Sequence, residues 1–99
     1  MNDNLVGVIV DAGHGGEDPG AVANNIKEKD LNLKSSLYIY NRLKELGVNA
    51  MLTRDSDISL PKNERIKKVK SLFNNSPNVI LVSNHINAGG HKFSYHYII

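Results

Sequence analysis

The chain has 99 residues, a net charge of +2 and a sequence pI near 8.9, with 40% hydrophobic residues, 6% aromatic, no tryptophan and no cysteine. These values fit one domain with a modest aliphatic core, and they exclude disulfides, thiolate metal sites and a cysteine nucleophile. The positive excess is small and no dense Lys/Arg stripe carries interleaved aromatics, which argues against nucleic acid as a partner. Any metal would have to be held by His, Asp or Glu.

Residues 1–4 are polar and lead directly into an apolar run. No basic region with a long apolar core precedes that run, so no secretory signal peptide is expected, and no apolar stretch is long enough to span a bilayer. The run over residues 5–10 contains β-branched Val6, Val8, Ile9 and Val10 and reads as a strand buried on both faces. The character then changes abruptly. Asp11, Gly13, His14, Gly15 and Gly16 set a carboxylate and an imidazole among small residues, and Asp18, Pro19 and Gly20 follow as turn chemistry. The glycines match neither the dinucleotide fingerprint nor the P-loop. A histidine at the carboxyl end of a buried strand, however, sits where open α/β sheets place their ligands.

The spacing of Leu33, Leu37, Tyr40 and Leu43 predicts a helix over 29–46, entered through the polar segment ending in Glu28, Lys29 and Asp30 and stopped by Gly47. A strand over 48–53 places Val48, Ala50 and Leu52 on one side, and a charged loop follows over 54–59. A second helix begins near Pro61 with Ser59 as candidate cap. It carries an apolar stripe of Ile66, Val69 and Phe73, and a solvated basic face of Lys62, Lys67, Lys68 and Lys70. Residues 79–82 form a third, fully apolar strand, followed directly by Ser83, Asn84 and His85; a further strand is suggested over 93–99.

The order strand, helix, strand, helix, strand predicts an α/β fold: a partial parallel sheet with right-handed crossovers and flanking helices. The expected strand order is second–first–third, with a switch point beside His14. His14 follows the first strand, His85 follows the third, and Glu28 opens the helix returning from the same edge. Three potential metal ligands therefore converge. Two His and one Glu with an open fourth position is a catalytic zinc arrangement. Each residue alone has a plainer reading: Glu28 as a surface carboxylate, the histidines as hydrogen-bonded loop residues. It is the joint placement that points to a metal. Asp11 and Asn87 serve either to orient ligands or to stabilise turns. His91 and His96 are given no ligand role.

The blocks VIVDAGHGGEDPGAV, KEKDLNL, LTRDSD, NER and VSNHINAGG, in this order, resemble the zinc-dependent N-acetylmuramoyl-L-alanine amidases, the peptidoglycan amidases of sporulation, autolysis and phage lysis. The resemblance implies that His14, Glu28 and His85 are the Zn2+ ligands. It also implies an α/β sheet with helices on both faces, and hydrolysis of the amide between N-acetylmuramic acid and the L-alanine of the stem peptide. Peptidoglycan would be the partner and the bacterial cell wall the place of action, reached by export other than through a signal peptide.

Such amidases continue beyond the last of these blocks and supply a general acid/base glutamate there. In this sequence no glutamate follows Glu64 and the ending HKFSYHYII is unlike that continuation. The expectation is therefore a single, apparently truncated catalytic domain over residues 1–99, the N-terminal half of the amidase fold. No acid/base residue is expected in the chain and its activity is expected to be impaired. The alternatives are a wall-binding remnant that does no chemistry and an inactive truncation product.

Overall fold

The computed structural model describes residues 5–86 and 93–98. Six strands and two longer helices appear in the order β1 (Gly7–Ala12), β2 (Val22–Ala23), β3 (Ile26–Lys27), α1 (Glu28–Glu45), β4 (Ala50–Leu52), α2 (Lys62–Ser71), β5 (Val79–Ile86) and β6 (Phe93–Ile98). The main sheet has the order β4-β1-β5-β6. β4, β1 and β5 are parallel, while β6 runs antiparallel to β5 and pairs His96 with Ser83. The expected α/β class and the second–first–third order of the parallel strands are both found. β4 and β5 flank β1 on opposite sides, the switch point at which a crevice opens at its carboxyl end. No helix among the described residues is long and apolar enough to cross a membrane.

β1 is buried along its whole length, and Val8, Ile9, Val10 and Ala12 form the core with Ala50. Fully burying a Val or Ile side chain contributes about 1.5–3 kcal/mol. α1 packs across β1, β4 and β5. α2 lies against the other face, where Val69 shares a cleft of about 200 Å³ with Ile9, Val79 and Leu81. Alternation along β1 thus gives Val8, Val10 and Ala12 to α1, and Ile9 and Asp11 to α2.

Several boundaries differ from expectation for one shared reason: polar groups here find partners inside the fold. β1 starts and ends two residues later than the apolar run. It takes in Asp11, whose carboxylate accepts hydrogen bonds from Thr53 Oγ1 (2.7 Å), Ser83 Oγ (2.6 Å) and Arg65 Nη1 (2.5 Å). β5 runs on to Ile86, so His85 lies within the strand rather than after it. Ser83 pays for its place there by bonding Asp11, and Asn84 does so by donating to Ser36 Oγ at 2.7 Å. β4 is only three residues long. Ser59 does not cap α2: Pro61 occupies the N-cap, and Ser59 Oγ accepts from the Glu17 amide at 2.9 Å. In α1 the buried stripe near the sheet edge is polar, Glu28, Asn32 and Ser36 at helical spacing, while the expected apolar face is only half-buried.

The largest departure is Arg54, expected in a charged loop and found 1% exposed. Its Nε donates to Ala12 O (3.0 Å), Nη1 to Ser56 O (3.0 Å), and Nη2 to Gly13 O (3.0 Å) and Lys29 O (2.9 Å). One guanidinium therefore fastens the end of β1, the start of α1 and the loop after β4 to each other. Removing it would orphan buried carbonyls at about 1–3 kcal/mol each. Arg54→Ala is expected to cost about 3 kcal/mol or more by that sum. Arg54→Lys should recover little, because an ammonium cannot reproduce the planar fork. Urea unfolding checks this; an Arg54→Ala midpoint shift worth under about 0.5 kcal/mol, the range of ordinary surface changes, would contradict it.

Candidate metal centre

Three elements deliver three side chains to the carboxyl edge of the sheet. His14 comes from the turn after β1, Glu28 from the first position of α1, and His85 from the penultimate position of β5. One ligand atom from each lies within 4.8 Å of the others. Glu28 Oε2 is 3.1 Å from His14 Nε2 and 3.6 Å from His85 Nδ1. Tetrahedral zinc with bonds of about 2.0–2.2 Å separates its ligand atoms by roughly 3.3–3.6 Å. The donor set suits such an ion, and the two Glu28 distances lie within a few tenths of an ångström of that spacing. Among the described residues no fourth His, Asp, Glu or Cys joins the cluster. His91 and Asn87 lie outside the described residues.

Local structure explains the aim of each group. The Glu28 carboxylate is 5% exposed and is fixed by the amides of Ala21 (3.0 Å) and Ile86 (2.9 Å) and by Asn32 Nδ2 (3.1 Å). Burial raises its pKa, but the Ile86, Ala21 and Asn32 donors outweigh burial and hold it below the usual carboxylate value. It is thus an anionic oxygen donor. For His85, burial first and then the charge of His14 lower the pKa, leaving a neutral imidazole with a free lone pair. The two rings meet edge to face, centroids 5.2 Å apart. Gly13 is required by closeness: a Cβ there would collide with the His85 ring.

His14 itself has φ +63°, a left-handed conformation uncommon for a residue with a side chain. Such strain persists only where surrounding bonds over-determine it. Arg65 supplies one of them, donating from Nη2 to His14 O at 2.8 Å while Nη1 binds Ala12 O at 2.8 Å and the Asp11 carboxylate. Asp18 supplies another, its Oδ2 lying 2.8 Å from His14 Nδ1. The Asp11 hydrogen bonds go not to the histidines but to Arg65, Thr53 and Ser83. An open groove of about 630 Å³ runs past His14 and His85 between Ser59, Pro61, Lys62 and Arg65. Sequence reasoning named the three side chains that meet here, but it left Arg54 in a charged loop, gave Arg65 no place and read Asp18 only as turn chemistry.

Residues 8–96 match the N-acetylmuramoyl-L-alanine amidase family. The chain is 42% identical over 99 residues to the endolysin of Bacillus phage SPP1, covering 92% of this chain and 34% of that protein. It is 36% identical over 88 residues to the sporulation-specific N-acetylmuramoyl-L-alanine amidase of Bacillus subtilis (strain 168), covering 87% of this chain and 33% of that one. The catalytic domain of CwlV, an N-acetylmuramoyl-L-alanine amidase from Bacillus (Paenibacillus) polymyxa var. colistinus, superposes with a TM-score of 0.72 at 34% identity, over 84% of this chain and 46% of that structure. With a parallel β4-β1-β5 sheet, a His–Glu–His cluster at its switch point and these likenesses, the chain belongs to the N-acetylmuramoyl-L-alanine amidase family. It spans about a third of the length of these two curated relatives and under half of the CwlV domain.

The Asp11 network carries a pH signature. Burial raises the Asp11 pKa, yet the Ser83 hydroxyl, the Arg65 charge and the Thr53 hydroxyl outweigh it and hold the carboxyl below its usual range. A carboxyl with a lowered folded-state pKa adds stability above its unfolded pKa of about 3.9, and that stability is lost as pH falls through the folded value. Asp11→Asn should be less stable than the parent at pH 7, with the gap closing as the pH falls through the lowered folded value and the parent's own Asp11 is protonated. Urea midpoints against pH check this; a gap constant over the range would contradict it.

Proposed function

We propose that the chain carries the metal-binding part of a zinc-dependent N-acetylmuramoyl-L-alanine amidase, acting on peptidoglycan at the bacterial cell wall. The observation that supports this best is the meeting of one ligand atom each from His14, Glu28 and His85 within 4.8 Å in a member of that family. His14, Glu28 and His85 would hold the ion. Bound there, zinc would supply Lewis-acid polarisation of the scissile carbonyl and a water of lowered pKa. The chain's own residues do the rest of what can be assigned to them. Glu28 would neutralise charge at the ion, Arg65 holds the His14 carbonyl, and the open groove beside them would take the glycan–peptide substrate. None of the described residues is assigned the role of general acid/base.

Isothermal titration with zinc tests the ligand set. The parent chain is expected to bind one equivalent, and His14→Ala and His85→Ala should each lose at least about tenfold in affinity, or 1.4 kcal/mol. Equal affinity in all three would overturn the assignment. A peptide-release assay on purified walls tests whether residues 1–99 supply a general acid/base. The zinc-loaded chain is expected to fall short of a full-length amidase by about 10²–10⁴-fold, the usual contribution of general acid/base catalysis. A rate matching the full-length enzyme would place that group among residues 1–99 and contradict this reading.

A further inference from the structure

The two imidazoles present different nitrogens to the cluster, Nε2 from His14 and Nδ1 from His85. Each must therefore carry its remaining proton on the opposite nitrogen, and the two rings need opposite tautomers. Among the described residues, one of these far nitrogens has a carboxylate partner: Asp18 Oδ2, 2.8 Å from His14 Nδ1. We infer that Asp18 is a positioning residue for metal binding, holding the Nδ1–H of His14 so that the Nε2 lone pair is aimed beside Glu28 Oε2. This rests on the zinc site proposed above.

The turn is built to hold Asp18 in place. Asp18 and Gly15 exchange backbone hydrogen bonds (2.8 and 3.0 Å), and Asp18 Oδ1 accepts from the Gly20 amide at 3.1 Å. Gly20, at φ +69°, lets the chain pass so close that a Cβ would lie 2.7 Å from both His14 Cδ2 and Glu28 Oε1. The imidazole is thus confined between Gly20 on one side and Asp18 at its far nitrogen. In the other tautomer, a ring lone pair would face a carboxylate lone pair across 2.8 Å. The Asp18 side chain is 65% exposed, so its pair with His14 adds little to folding. Its effect belongs in metal affinity, where removing a partner of a ligating histidine typically costs 10–100-fold.

Zinc affinity, measured by competition with a chromophoric chelator, tests this in the full chain, Asp18→Ala, Glu17→Ala, His14→Ala and His85→Ala. Glu17 is the neighbouring exposed carboxylate, and its side chain bonds neither imidazole. Asp18→Ala is expected to bind zinc about 10–100-fold more weakly with an unchanged urea midpoint, and Glu17→Ala to bind like the parent. Long-range ¹H–¹⁵N spectra of the zinc-loaded chain should show the His14 proton on Nδ1, exchanging faster in Asp18→Ala. Affinity in Asp18→Ala within about twofold of the parent, or an equal loss in Glu17→Ala, would overturn the inference. If the two histidine variants keep parental affinity, the zinc site itself fails; if they lose it while Asp18→Ala does not, only the role of Asp18 fails.

Discussion

The carboxyl edge of the sheet is held together by buried backbone carbonyls that two guanidinium groups satisfy. A loop that turns back over a sheet edge buries carbonyl oxygens, and each needs a donor. Arg54 provides donors to Ala12, Gly13, Ser56 and Lys29, and Arg65 to Ala12, His14 and Leu60. Arginine suits this work because it carries only donors, spread in a plane, and stays charged. Asp11 sits between β4, β5 and α2 and balances the Arg65 charge. The turn bearing His14 is thus tied to the start of α1, the loop after β4 and the first turns of α2 before any metal is considered.

That scaffold explains how residues 14, 28 and 85 come to share one point. Parallel pairing of β1 with β5 sets Ala12 opposite Asn84, so the chain leaves both strands side by side. Glu28 then closes the gap by accepting from the Ile86 amide on one strand and the Ala21 amide on the returning loop. Behind it, Asn32 and Ser36 continue a polar layer from α1 to Asn84. Such a layer contributes less to stability than apolar packing would, but together with the Ala21 and Ile86 amides it fixes the direction of the Glu28 carboxylate.

The sequence made the frame legible because period and punctuation carry it. The apolar runs at Val8 and Val79, the helical spacing after Glu28 and the stop at Gly47 each correspond to an element of the fold. His14, Glu28 and His85 were legible because the topology leaves them one edge on which to meet. Arg54 was not. Its partners are main-chain carbonyls, which every residue possesses, so nothing in the surrounding letters distinguishes a buried strut from a solvated loop charge. The extents of β1 and β5 were hidden for a related reason: Asp11, Ser83 and Asn84 look like strand terminators until each is seen to satisfy another. The signal that was available lay in the resemblance, whose blocks LTRDSD and NER contain both arginines.

The central claim is that an imidazole, a carboxylate and a second imidazole from three separate elements bind one ion. Zinc K-edge X-ray absorption on the chain loaded with one equivalent of zinc measures this directly. The expected spectrum shows a first shell of nitrogen and oxygen at about 2.0–2.2 Å with the outer-shell scattering of two imidazoles, falling to one in His14→Ala. A shell of oxygens alone, or two imidazoles retained when His14 is replaced, would contradict it.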